Sequence, residues 1–190
     1  MTIHPDVPPS SSSRPPAPLR VALTVDFEPD CPPYLSSTFR GVEQGAPRLL
    51  ELFADTGVRA TYFTTSDVAE RYPAAVRALL AEGHELGCHG VTHTAFDRMD
   101  EATARWEIEQ SSRVLRDFAP VTSFRAPYLR FPDSYVPLLE QAGFALDSSL
   151  AKYKRSYRAP RRPTTLSRIP ASMTSRRQRS ATSPVRNRQS

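Results

Sequence analysis

Two histidines four residues apart, His89 and His93 in the stretch HGVTH, are the sharpest chemical feature of this 190-residue chain. On a helical turn that spacing puts both imidazoles on one face, close enough to share one cation. A cation held by two ring nitrogens also wants a carboxylate, and Asp26 or Glu28 of the stretch LTVDFE can supply it from a neighbouring strand end. Side chains two apart on an extended chain point the same way, so one acid can bind metal while the other takes a proton from metal-bound water. Cys88, beside His89, is either a soft ligand or a small buried hydrophobe. Further on, Arg125-Ala126-Pro127-Tyr128 offers a guanidinium that can orient a catalytic carboxylate by a two-pronged contact. Its stiff Ala-Pro-Tyr turn can aim a backbone N–H at a developing oxyanion. Each feature has a plainer explanation too: two hydrogen-bonded histidines, a strand-end cap, a surface turn.

These residues are far apart in sequence, so the scaffold must gather them. Leu19 to Asp26 has Val21, Leu23 and Val25 at period two and reads as a strand. Pro47 opens a helical pattern through Leu49, Leu50, Leu52 and Phe53 that Gly57 ends. Val58 to Thr65 is β-branched and aromatic, a strand; Tyr72 to Glu82 is a helix stopped by Gly83. Glu85 to Cys88 is a short strand. Asp100 to Phe118 is a longer helix predicted to face Trp106, Val114, Leu115 and Phe118 inward. Val121 to Phe124 is a strand, Asp133 is expected to cap a helix through Val136, Leu138 and Leu139 that Gly143 stops, and Phe144 begins a further strand. Three glycine stops, each just before a strand, are the mark of repeated βα units and a parallel sheet, either open or closed as a barrel. Ligands of such folds bind beyond the carboxyl ends of the strands. The polar groups stand there: Asp26 and Glu28, then His89 and His93, Arg125 and Tyr128, and Asp147 with Ser148 and Ser149. His84 falls at a strand start, the wrong end, and reads as structural.

The remaining sequence sets the boundaries. Residues 1–18 hold six prolines and four consecutive serines and read as a disordered leader; the foldable domain is 19–150, with an extension towards Ala171, and 172–190 read as a basic disordered tail. The chain has 25 Lys+Arg against 20 Asp+Glu, yet no acid lies beyond Asp147, so residues 1–150 carry a formal −7 and 151–190 carry +12. A basic run can hold nucleic acid, but this one has no aromatic interleaving apart from Tyr153 and Tyr157, and disorder or a shifted reading frame is the better account. The two cysteines, Cys31 and Cys88, make no disulfide framework. No apolar run reaches the ~20 residues of a membrane helix, and Met1 to Leu19 has no signal-like apolar core, so a cytoplasmic protein with reduced thiols is the expectation.

With the motifs in order, the chain resembles the NodB-type polysaccharide deacetylases, carbohydrate esterase family four. The match spans roughly residues 20–150. The acid-rich strand end is Leu23-Thr24-Val25-Asp26-Phe27-Glu28, and the H-x-x-x-H motif with its lead-in is Gly83-His84-Glu85-Leu86-Gly87-Cys88-His89-Gly90-Val91-Thr92-His93. The R-x-P-Y motif is Arg125-Ala126-Pro127-Tyr128, and the Asp after Gly-Phe is Asp147 in Gly143-Phe144-Ala145-Leu146-Asp147. One motif alone is weak; four in order, separated by βα units, are a strong signal.

The resemblance implies a distorted (β/α) barrel, incomplete at this length, and one divalent cation, zinc by habit of the family. It implies hydrolysis of N-acetyl groups, carbon–nitrogen bonds that are not peptide bonds, on a carbohydrate or amino-sugar substrate. Carried over, His89 and His93 are metal ligands, Asp26 is the general base, Arg125 orients Asp26, Asp147 pairs with Arg125, and the Tyr128 backbone N–H helps hold the oxyanion. Two departures stand out. Where many members have a second acid next to the base, this chain has Phe27, and the third ligand falls to Glu28, as in a D-x-E subgroup. A late histidine that protonates the leaving amine has no counterpart, because the histidines are His4, His84, His89 and His93. The alternative reading is therefore a C-terminally truncated, catalytically weak or inactive remnant, and behind it a nucleic-acid binder acting through the tail.

Overall fold

A computed structural model describes residues 21–30 and 38–150. The expected leader 1–18, the extension towards Ala171 and the tail 172–190 lie outside these residues. Within them strand and helix alternate: β1 (Leu23–Phe27), α1 (Ala46–Thr56), β2 (Ala60–Thr64), α2 (Ser66–Arg71), α3 (Pro73–Ala81), β3 (Glu85–Cys88), α4 (Glu101–Arg116), β4 (Ser123–Phe124), α5 (Val136–Gln141) and β5 (Leu146–Asp147). The five strands form one parallel sheet in the order β1-β2-β3-β4-β5. Each strand lies beside its sequence neighbour and the order never reverses. That is the winding of a barrel wall, with β1 and β5 at its two edges, and the fold is α/β.

The glycine stops behave as read: Gly57, Gly83 and Gly143 take the left-handed backbone at φ +65°, +78° and +79°, where a side chain would be strained. Asp100 caps α4 by accepting from the Thr103 N–H at 2.8 Å. The main core lies between the sheet and its helices, through Phe27, Tyr62, Leu86, Cys88, Phe124, Ile108 and Leu115. Phe124 shows how that core serves the other face. Its ring is fully buried against Phe96, Phe131 and Phe144 at 5.6, 5.3 and 5.5 Å between centroids. Such pairs add ~0.5–1.5 kcal/mol each beyond area burial. Strand alternation then sends the next residue, Arg125, to the opposite, concave face. That face is polar: Thr61 and Ser123 both donate to the Glu85 carboxylate, at 2.7 and 2.9 Å.

Several expectations need correcting. Trp106 does not face inward; it is 56% exposed, because the buried stripe of α4 runs through Ala104, Ile108, Ser111 and Leu115 and Trp106 is two residues, about 200°, off it. Leu52 on α1 is likewise turned to solvent. Asp133 opens a short 3-10 turn, Asp133–Tyr135, and does not cap α5, whose first turn contains Pro137. Between the predicted strand Val58–Thr65 and the predicted helix Tyr72–Glu82 stands a further short helix, α2, whose start is marked by Asp67 in its first turn.

Candidate metal centre

β1 and the loop after β3 bring the two halves of the site together. Glu28 lies one residue past β1, and its Oε2 is 2.9 Å from His89 Nε2 and 2.8 Å from His93 Nε2. One donor atom from each of these residues lies within 4.8 Å of the other two, a grouping that could hold a metal ion. The two rings are 5.4 Å apart between centroids. The histidines meet in a way the spacing did not foretell. Residues 89–93 are a bent loop and no helical turn: Gly90 stands at φ +83°, which breaks a helix and folds His93 back over His89.

The tautomer of His89 is set by its surroundings. Its Nδ1 is 2.6 Å from the Arg125 carbonyl, which can only accept, so Nδ1 carries the hydrogen. In the neutral ring Nε2 then offers a lone pair. A lone pair aimed at a carboxylate oxygen is repulsive, and a cation between them makes it attractive. The donor set, two imidazoles and one carboxylate, therefore fits a divalent metal such as zinc. With no ion between them, only protonated rings make the contact attractive: burial lifts the Glu28 carboxyl, and hydrogen bonds and charge from His89 and His93 in that form outweigh it, holding it at about 2, below its ordinary value.

Beside this cluster stands an ion pair. Arg125 donates from one guanidinium nitrogen to Asp26 Oδ1 at 2.6 Å, and from the other to Thr24 Oγ1 at 3.0 Å and Ser148 Oγ at 2.8 Å. The guanidinium carbon lies 4.2 Å above the Phe63 ring. Asp26 pairs in register with Phe63, and Phe63 with Gly87, so three neighbouring strands build this patch. Gly87 is required by the packing: a Cβ there would lie 2.6 Å from Phe63 Cδ1. Asp26 is 40% exposed and can reach a substrate, while Arg125 behind it is mostly buried.

Asp147 is placed differently from its expected pairing with Arg125. Its carboxylate accepts from the Ser149 N–H at 2.9 Å and from the Ser149 hydroxyl, and it is Ser148 that reaches the guanidinium. Ser149 also accepts from the Ala126 N–H at 2.9 Å, so Asp147 braces the Arg125–Tyr128 turn through a neighbour. Tyr128 and Leu129 both hold left-handed backbone, φ 58° and 53°, a strained pair for residues with side chains. The Tyr128 ring lies 4.2 Å from the His93 ring, at the mouth of the cluster.

The two other candidates are not part of the site. Cys88 is the buried hydrophobe of the two readings: its thiol contacts Ser111 Oγ at 3.1 Å, and burial pushes it up to about 11. His84, at the far end of β3, accepts the Ala60 N–H at 3.1 Å between the Phe53 and Tyr62 rings. Of the residues around Arg125, Ser148 stands among the strand-end polar groups of the sequence pattern, whereas the motifs do not mark Thr24 and Phe63. Thr24 was legible by alternation, since it shares a face with Asp26; Phe63 looked like core and gave no signal of its own.

The family model for polysaccharide deacetylases matches residues 13–146. A peptidoglycan deacetylase of Helicobacter pylori is 31% identical over 124 residues, which are 64% of this chain and 42% of that protein. A chitooligosaccharide deacetylase of a Bradyrhizobium species is 29% identical over 102 residues, 52% of this chain and 47% of that protein. The chain thus spans less than half the length of these curated relatives. Among solved structures, a family 4 carbohydrate esterase of Streptomyces lividans in complex with acetate superposes with a TM-score of 0.56, with 22% identity over 67% of this chain and 60% of that one, a likeness of fold. With the matched model covering well over half of its residues, this chain belongs to the polysaccharide deacetylase family, carbohydrate esterase family four.

Proposed function

We propose that the described domain carries the site of a metal-dependent hydrolase that removes N-acetyl groups from a carbohydrate or amino-sugar substrate. The observation that carries this reading is the convergence of His89, His93 and Glu28 beside the Arg125–Asp26 pair. His89 Nε2, His93 Nε2 and a Glu28 oxygen would hold one divalent ion, zinc by its donor set. When bound, such an ion supplies Lewis acidity and an acidified water. Asp26 takes the proton of the attacking water; Arg125 fixes its carboxylate by a charge-assisted bond and is itself held by Thr24, Ser148 and Phe63. The Tyr128 backbone N–H donates to the developing oxyanion, and one such donor is worth ~3 kcal/mol. The strained 128–129 backbone supports that role, because strain gathers where a backbone group must be aimed. Relatives named for peptidoglycan and chitooligosaccharides support an N-acetylated amino sugar as substrate.

The test is acetate release from N-acetylglucosamine oligomers with Zn²⁺ supplied, comparing the chain with His89→Ala. Turnover that disappears in the variant supports the reading; equal rates in both overturn it.

A further inference from the structure

We propose that Glu107 is a positioning residue for the metal-ligand loop, holding His89 and His93 at ligand spacing before any ion arrives. The inference rests on the metal reading above and goes on to say what sets that geometry. Glu107 lies on α4, on the core side, and is 7% exposed. A buried carboxylate ordinarily has a cation beside it. None of the ion pairs among the described residues involves Glu107. Its partner is a main-chain N–H of the ligand loop: Val91 donates to Oε2 at 2.8 Å.

The carbonyls of the same loop are held from the other side. Gly90 O accepts from the Ser66 N–H at 3.0 Å and Val91 O from the Asp67 N–H at 3.1 Å, both on α2. The His89 N–H donates to Thr64 O at 3.0 Å. Between one ligand and the next there are three residues, and two of them, Gly90 and Val91, have main-chain groups bonded to elements outside the loop. A loop so tied cannot easily change the distance between its two rings. Removing a group that orients metal ligands typically costs 10–100-fold in metal affinity. Glu107 is therefore a structural acid whose value is read at the metal. It touches neither ion nor substrate.

The experiment is a Zn²⁺ titration of the full chain against a competing chromophoric chelator, with amide hydrogen exchange at Val91 followed alongside. Glu107→Gln keeps a carbonyl acceptor and should hold affinity within about threefold. Glu107→Ala should weaken Zn²⁺ about 10–100-fold and speed exchange of the Val91 amide. Glu109→Ala, on the exposed side of the same helix, should change neither. Should Glu107→Ala fail to fold, Ser66→Pro replaces it: proline is accepted at a first helical position, Thr65 before it is already extended (φ −74°, ψ 143°), and the N–H to Gly90 is removed. Unchanged Zn²⁺ affinity in the folded variant overturns the proposal while leaving the metal reading intact. A wild-type chain that binds no Zn²⁺ brings down the metal reading, and the positioning role with it.

Discussion

The two halves of the site are held by different physics. The loop carrying His89 and His93 is bound to three elements by main-chain hydrogen bonds, and one of its histidines is 1% exposed. The acids it meets come from β1 and the residue after it, at one edge of the described sheet, where Leu23 is 44% and the Asp26 side chain 40% exposed and Val21, just before the strand, is 73% exposed. The ligand half is preorganised by backbone; the acid half is positioned by side chains, chiefly the guanidinium of Arg125, which spans β4 to β1. Backbone anchoring fixes distances within the ligand pair. Side-chain anchoring leaves the Asp26 carboxylate reachable from solvent.

The largest effect should come from separating the halves chemically. Asp26→Asn keeps the shape of the acid half and removes its basicity, so acetate release should fall ~10²–10⁴-fold while Zn²⁺ affinity stays as in the wild type. Steady-state rates and a metal titration on one preparation measure both. If Zn²⁺ affinity falls in step with the rate, Asp26 belongs with the ligands and the division is wrong.

Next comes metal loading. A preorganised loop has little left to order, so Zn²⁺ at about 100 times its Kd should raise stability by the mass-action amount, ~2.7 kcal/mol, without slowing amide exchange at residues 90–92. Thermal unfolding and hydrogen exchange with and without chelator report the two quantities. Exchange at 90–92 that becomes slow only on loading would show that the ion orders the loop, and the contrast between the halves would vanish.

The acid half has its own weak point in Phe63. The ring lies under Arg125 in a slot that Gly87 keeps open. A desolvated cation–π contact is worth up to about 2 kcal/mol. Phe63→Leu should therefore lower turnover about tenfold through Arg125 and leave Zn²⁺ affinity alone. Gly87→Ala should do the same by another route, since its Cβ would force the ring aside. A loss of Zn²⁺ affinity in either variant would tie the halves together through β3.

How much of this could be read from residues alone differs between the halves as well. The cluster of Glu28, His89 and His93, with Asp26 and Arg125 beside it, is legible because such residue types are rare and their spacing places them at strand ends. The parallel wall was legible from helix stops at Gly57, Gly83 and Gly143. What escaped was whatever depends on packing across elements. Trp106 looked like core by hydrophobicity, but the phase of α4 is set by where Ile108 and Leu115 meet the sheet. The Asp147 carboxylate was assigned to Arg125 by resemblance, yet it accepts from Ser149, and Ser148 fills the place. Glu107 reads as a surface acid until its phase is compared with Ala104 and Ser111, three before and four after it on the buried stripe. And i, i+4 spacing correctly paired two histidines for the wrong reason, because Gly90 replaces the helical turn with a bend.

The smallest predicted effect tests that bend. Gly90 and Gly57 both stand in left-handed backbone, at φ +83° and +65°. A Cβ at Gly57 meets nothing within 4 Å; at Gly90 its nearest neighbours are Thr92 O at 3.4 Å and Glu107 Oε2 at 3.5 Å, ordinary contacts. Alanine at either position should therefore cost little beyond backbone strain, about 1–2 kcal/mol in each case. The stability losses, read from urea unfolding, should be alike. Their consequences for the ion should not be. The Gly57 turn joins α1 to β2, far from the ligands, whereas the Gly90 turn sets how His93 folds back over His89. Gly90→Ala should weaken Zn²⁺ severalfold and Gly57→Ala should leave it unchanged. Equal Zn²⁺ affinities in the two variants would mean that the ligand spacing is set elsewhere than in the loop backbone.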